Sequence, residues 1–125
     1  MKKLLLSVLF LTLAAVQLQA QECKFSFVGT LAQQKITMCF YPDANDGSVQ
    51  GHYFYGDGTK GNLNFTGTAV RQADGSYRQN LEERNAGGEV TGYFVGVLKS
   101  GLMTGTWTST DGKRSYKYQM KMVKN

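Results

Sequence analysis

The stretch that decides the fold is Thr91–Thr108, TGYFVGVLKSGLMTGTWT. Glycines and large apolar residues occupy every second position, at Gly92, Phe94, Gly96 and Leu98 and again at Met103, Gly105 and Trp107, and the Ser100-Gly101 pair interrupts this pattern at its centre. A period of two is typical of a β-strand, and a two-residue break containing glycine supplies the positive backbone φ that a tight hairpin requires. The stretch therefore predicts two antiparallel strands joined by a tight turn.

The same pattern extends over the rest of the chain, with further turn signals at Asp46-Gly47, Asp57-Gly58, Asp74-Gly75, Gly87-Gly88 and Asp111-Gly112. The connections are too short for the crossovers of a dozen or more residues that parallel strands need. We therefore expect an antiparallel meander of about eight strands, at Lys24–Leu31, Lys35–Tyr41, Val49–Tyr55, Asn62–Val70, Ser76–Glu83, Glu89–Leu98, Leu102–Thr108 and Ser115–Val123.

Glycine is abundant, with 15 residues in a chain of 125, and several glycines fall inside predicted strands: Gly51, Gly67, Gly92, Gly96 and Gly105. Such glycines weaken a flat strand but are typical of strongly curved or closed sheets. The expected fold is all-β, an eight-stranded closed or partly open barrel of the broad lipocalin or avidin shape. A flatter two-layer or open sheet is the alternative.

The N-terminus has the pattern of a secretory signal peptide. Two lysines precede the apolar run Leu4–Val16, and a small residue, Ala20, marks the expected cleavage point. The run is about 13 residues long, whereas roughly 20 are needed to span a bilayer. We therefore expect a signal peptide at 1–20 and a single β domain at 21–125, periplasmic or secreted and not membrane-spanning after cleavage.

The formal net charge of +5 is misleading. Two of the fourteen basic residues lie in the signal segment, and five of the other twelve lie in the last thirteen residues. The body of the domain is thus slightly acidic, whereas a nucleic-acid binder spreads its basic residues over a face or groove. We expect no nucleic-acid partner, and we interpret the lysine-rich last strand as a protected sheet edge.

The chain has two cysteines, Cys23 and Cys39. An even pair in an exported chain favours a disulfide. Two buried thiols remain the alternative, because Cys39 is out of phase with Met38 and Phe40 and so faces away from them. With no Cys-x-x-Cys spacing and a single histidine, His52, the sequence predicts no metal site. No cofactor is expected either.

Catalytic motifs are not found. The single histidine lacks a nucleophile-elbow Gly-x-Ser-x-Gly to accompany it. Glu82 and Glu83 are adjacent in a strand and must face opposite sides, so they do not form an acid/base pair. An inward glutamate is interpreted either as a binding handle or perturbed acid, or, preferably, as an ion-pair partner of Arg78 or Arg84. We expect no enzymatic activity, with an uncharacterised enzyme kept as the third alternative.

Glycines and aromatics follow the order Gly51-x-Tyr53-x-Tyr55, Leu63-x-Phe65-x-Gly67, Leu81-x-Glu83, Thr91-Gly92-x-Phe94-x-Gly96 and Leu102-x-x-Gly105-Thr106-Trp107. This order resembles that of small exported β-domain proteins of Bacteroidetes-type bacteria, mostly of uncharacterised function, some of which occur beside lysozyme-inhibitor-like regions. The resemblance implies an envelope binding module or inhibitor. It implies no catalytic residue.

The sequence thus predicts an exported, non-catalytic binding domain of the bacterial envelope. If the barrel is open, it binds a small apolar or amphipathic ligand in a pocket lined by residues such as Tyr53, Tyr55, Phe94 and Trp107. If the barrel is filled, it binds an envelope or host protein through its surface or loops. The alternative function is that of a protein-binding inhibitor module similar to lysozyme inhibitors.

Overall fold

The computed structural model describes residues 23–42 and 47–123. The predicted signal segment 1–20 lies outside the described residues. Within them the chain forms eight strands, whose bounds agree with the predicted ones to within one residue: β1 Phe25–Leu31, β2 Gln34–Pro42, β3 Ser48–Tyr55, β4 Leu63–Arg71, β5 Tyr77–Arg84, β6 Val90–Lys99, β7 Leu102–Ser109 and β8 Ser115–Val123. No helix long and apolar enough to cross a membrane occurs in this part of the chain.

The sheet closes on itself. Each strand pairs antiparallel with the next, and β1 pairs with β8 from Ser26↔Val123 to Leu31↔Tyr118, which completes a barrel. This pairing confirms the predicted all-β eight-stranded meander. Of the two expected forms, a closed barrel and an open sheet, it is the closed barrel that is present. Because a closed barrel has no edges, β8 is not an edge strand, and the interpretation of its lysines as edge protection is wrong.

The connections alternate between the two ends of the barrel. One end, called here the site end, carries the connections at 32–33, 56–62, 85–89 and 110–114. The turn between β6 and β7 at the opposite end has φ values of +53° at Ser100 and +77° at Gly101, as its sequence predicts. The turn between β1 and β2 also has two positive φ values, +52° at Ala32 and +68° at Gln33, although it contains no glycine.

Side chains fill the barrel interior. The buried apolar core comprises Phe27, Leu31, Ile36, Met38, Phe40, Val49, Tyr53, Phe65, Leu81, Phe94, Met103, Trp107, Tyr118 and Met120. The Tyr118 hydroxyl donates a hydrogen bond to Gln79 Oε1 at 2.9 Å across the interior. Gly96 and Gly105 face each other beside it, and a Cβ on Gly105 would lie 2.6 Å from the Tyr118 oxygen. These strand glycines therefore make room for a buried phenol.

The predicted disulfide between Cys23 and Cys39 is present, with the two Cα atoms 5.3 Å apart. Cys39 points to the outside of β2 and is nevertheless buried, whereas its neighbours Met38 and Phe40 are buried on the inside. The bridge joins positions 16 residues apart. In the chain-entropy account, closing such a loop stabilises the fold by about 3 kcal/mol.

Candidate functional site: a buried carboxylate network beneath the site end

Glu83, only 3% exposed, is the most deeply buried acidic side chain among the described residues. Its Oε2 accepts hydrogen bonds from the Tyr53 hydroxyl and from Trp107 Nε1, the latter at 3.1 Å. Its Oε1 accepts a bond from Thr91 Oγ1 at 2.6 Å. We call these four residues the Glu83 network. They come from β3, β5, β6 and β7, so the network connects four of the eight strands.

Strand periodicity positions three of the four side chains. Tyr53, Glu83 and Trp107 each occupy an inward position near the site-end terminus of a strand. Thr91 reaches the network because of a β-bulge: Glu83 pairs with Gly92 and Arg84 pairs with Val90, so Thr91 is the extra residue. A bulge re-aims the side chain that it carries, and here it directs the hydroxyl to the carboxylate.

Gly92 completes the local geometry. A Cβ at this position would lie 2.5 Å from Trp107 Nε1 and 2.6 Å from Cζ2. The indole therefore lies directly against the backbone of β6. Only glycine permits this close approach without displacing the ring, and the ring position in turn directs Nε1 to Glu83.

The Glu83 network fixes the protonation state of Tyr53. Burial, and then the negative charge of Glu83 with its hydrogen bond, raise the pKa of Tyr53 far above its ordinary value. Burial also raises the pKa of Tyr55, although its interaction with the neighbouring Tyr53 opposes this shift. Tyr53 is therefore a fixed hydrogen-bond donor at physiological pH rather than a base or nucleophile.

Glu83 is held by neutral donors. Among the described residues no lysine or arginine forms an ion pair with it, whereas Glu82, on the outer face, pairs with Arg84. The preferred interpretation, that the inward glutamate pairs with Arg78 or Arg84, is therefore wrong, and Arg84 pairs with the outer Glu82 instead. A buried charge is costly unless it is hydrogen-bonded, and three donors occupy most of the acceptor sites of this carboxylate.

The network continues to the surface through an aromatic stack. The Tyr116 ring lies on Trp107, with centroids 5.9 Å apart and planes 10° from parallel. The Arg114 guanidinium carbon lies 5.7 Å from the centroid of the Trp107 ring. Tyr116 itself is 41% exposed. It also borders a surface groove of about 830 Å³ that extends to the Ala32–Gln33 turn.

The predicted site residues Tyr53, Tyr55, Phe94 and Trp107 do lie together. The Tyr53 ring is 5.6 Å from that of Tyr55 and 5.4 Å from that of Phe94, and Tyr53 shares Glu83 Oε2 with Trp107. Three of the four are core residues, because Tyr55 alone is more than 8% exposed. Their role in ligand binding remains a prediction.

Sequence reasoning missed Thr91, Arg114 and Tyr116 as members of this region. The alternation Leu81-x-Glu83 contains a signal for the inward glutamate. No sequence pattern marks the bulge at Thr91.

His52 lies apart from the Glu83 network. It points to the outer face of β3, directly opposite Cys39 in the pairing with β2, and its ring contacts Tyr41 at 6.1 Å between centroids. Partial burial lowers the pKa of His52. Since Glu83 is on the inside of the barrel wall, the two groups do not converge on one reacting atom.

Comparisons with protein-family models, with curated proteins and with solved structures found no match to this chain.

Proposed function

We propose that this chain is an exported, non-catalytic protein-binding domain of the bacterial envelope, periplasmic or secreted, whose contact surface is the site end of the barrel. The observation that carries the proposal is the filled interior. Tyr53 and Phe94, which a ligand-binding barrel would use as pocket walls, are 1% and 0% exposed. A ligand inside the barrel would have to displace packed core side chains, which favours binding at the surface.

The residue types at the site end support this assignment. Protein interfaces concentrate their binding energy in a few tryptophan, tyrosine and arginine side chains. The site end presents Tyr116 and Arg114 against Trp107. Because the stack holds Tyr116 in place, little side-chain entropy is left to lose when a partner covers it.

The polar groups of the Glu83 network are engaged with one another. The Glu83 carboxylate already accepts three hydrogen bonds, and Tyr53 retains its proton. An oxidising compartment, such as the periplasm or the cell exterior, agrees with the Cys23–Cys39 disulfide.

The test compares Tyr116→Ala with Tyr93→Ala, because both tyrosines are 41% exposed and Tyr93 lies on the outer wall of β6 rather than at the site end. Native mass spectrometry of the protein isolated from its own envelope identifies the bound species. The dissociation constant is then measured with the purified partner. We expect a stoichiometric protein partner whose affinity falls about 30-fold or more for Tyr116→Ala, the effect of a hot spot of about 2 kcal/mol.

Tyr93→Ala should bind as the unmodified protein does, and equal losses in the two variants would contradict the proposed surface. A lysozyme is the first purified partner to assay, since the inhibitor form of the proposal predicts reduced muramidase activity. A bound mass in the small-molecule range, with no protein partner, would instead support the second candidate. In that case an amphipathic ligand occupies the groove beside Tyr116.

A further inference from the structure

The disulfide forms part of a cluster of metal-binding side chains on the outer wall of the barrel. Cys39 and His52 are directly opposed in the β2–β3 pairing and both point outward. Cys23 joins them through the disulfide. The two sulfurs and an imidazole nitrogen all lie within 4.8 Å of one another. Such a trio is the ligand set of a Cys₂His zinc site.

We propose that reduction of the Cys23–Cys39 disulfide converts this cluster into a binding site for Zn²⁺ or a similar divalent ion, held by the two thiolates and the His52 imidazole. A dithiol reductant supplies two electrons and two protons, which cleave the sulfur–sulfur bond and yield two thiols, while the reductant itself becomes a disulfide. Metal binding then displaces the two thiol protons to solvent. A water molecule completes a four-coordinate site.

The spacing of the donors fits this assignment. With Zn–S distances of about 2.3 Å and Zn–N distances of about 2.0–2.1 Å, ligand atoms in a tetrahedral site lie about 3.5–3.8 Å apart. The three donor atoms are within 4.8 Å of one another before any rearrangement. Cleaving the disulfide lets the two sulfurs separate toward the required distance.

The backbone divides the site into a fixed part and an adjustable part. The β2–β3 ladder holds Cys39 and His52 side by side, and opposed residues of an antiparallel pair have Cβ atoms about 4.5–5.5 Å apart. Cys23 precedes β1, which begins at Phe25, so it is outside the ladder. Only its short segment has to move for the third ligand to adopt metal geometry.

The His52 imidazole is suited to act as a ligand. Its ring contacts the Tyr41 ring, with the two centroids 6.1 Å apart. It is only partly buried, so a metal ion can reach it from solvent. Sequence motifs did not reveal the site, because its three ligands come from three separate segments and have no characteristic spacing.

The experiment uses the purified protein, reduced with a phosphine that is then removed without oxygen, and titrated with Zn²⁺ and with Co²⁺. We expect one equivalent of metal per reduced chain and, with Co²⁺, the absorption of a thiolate-ligated tetrahedral ion. The oxidised protein should show neither. Removing an outer-sphere partner of a metal ligand typically lowers metal affinity by about 10–100-fold. His52→Ala removes a ligand itself, so it should weaken metal binding by at least about 10-fold.

Two further variants make the result specific. Gln50→Ala changes the next outward residue of β3 and should bind the metal as the unmodified protein does. Cys23→Ser removes the ligand that lies outside the strands and should bind as weakly as His52→Ala. Near-ultraviolet circular dichroism checks that each reduced protein is folded before titration.

Three results would overturn the proposal. The first is a reduced protein that binds no metal, and the second is a His52→Ala variant with unchanged affinity and an unchanged Co²⁺ spectrum. The third is a reduced chain that remains unfolded in the presence of Zn²⁺, because the site depends on the β2–β3 pairing.

Discussion

Replacing Tyr53 with phenylalanine removes one oxygen atom from the barrel interior and leaves the ring packing in place. The ring keeps its contacts with Phe94 and Tyr55, at centroid distances of 5.4 and 5.6 Å. Glu83 Oε2 loses one of its two donors and retains Trp107 Nε1. The substitution therefore tests how much one neutral donor contributes to holding a buried carboxylate.

Hydrogen bonds to charged groups contribute about 1.5–3 kcal/mol each. Because Glu83 is 3% exposed, water cannot readily replace the lost donor. We expect the free energy of unfolding to fall by about 1.5–3 kcal/mol, which corresponds to a decrease in Tm of roughly 8–15 °C for a domain of this size. Tyr93→Phe, which changes a tyrosine 41% exposed, should alter the stability by less than about 0.5 kcal/mol.

The same variant has a predicted signature at alkaline pH. In the folded protein the pKa of Tyr53 is raised. Above about pH 10, the unfolded chain therefore loses a proton that the folded chain keeps. The stability due to this group is complete below pH 10 and decreases by about 1.4 kcal/mol for each pH unit above it. Tyr53→Phe should reduce the alkaline slope by that amount.

Urea unfolding followed by circular dichroism, at pH 7 and at steps from pH 9 to 11, measures both quantities. The reasoning is refuted if Tyr53→Phe costs no more than Tyr93→Phe at neutral pH, or if the alkaline slopes of the variant and the unmodified protein are the same.

Two further predictions concern the backbone. Gly92→Ala places a Cβ against the Trp107 indole, so it should destabilise the protein by about 1–3 kcal/mol and alter its near-ultraviolet dichroism. Gly87→Ala is the control and should be tolerated, because its Cβ meets only an amide oxygen at 3.4 Å. Equal effects of the two variants would contradict the close approach of the indole to Gly92. Replacing Ala32–Gln33 with Asn-Gly should raise the free energy of unfolding by about 1–2 kcal/mol in urea titrations, because both positions have positive φ, and an unchanged stability would argue against strain in this turn.

The sequence predicts most of the frame because its information is local. Alternation within each strand and glycine-containing turns determine the order, length and facing of the strands. Alternation also places Cys39 on the opposite face of β2 from Met38, and the disulfide accordingly lies on the outer wall of the barrel. Alternation does not decide between a closed barrel and an open sheet, because closure depends on β1 pairing with β8 from the opposite end of the described chain.

The site was harder to predict, for a related reason. Local alternation places Glu83 inside but does not say which donors surround it, since those donors are on β3, β6 and β7. The bulge that redirects Thr91 is a departure from alternation and leaves no trace in composition. The sequence also does not indicate the positive φ values of the Ala32–Gln33 turn, because neither residue is a typical turn former.

The Glu83 network and the exposed Tyr116 are mechanically connected. Glu83 accepts the indole N–H, Gly92 admits the ring against the backbone, and the fixed indole supports the Tyr116 ring. Immobilising a flexible side chain on binding costs about 0.5–1.5 kcal/mol, and the stack meets part of this cost before any partner arrives. Under the proposed function, the buried Glu83 carboxylate would contribute to affinity at the site end through Trp107. A change that loosens Trp107 should then weaken partner binding as well as stability.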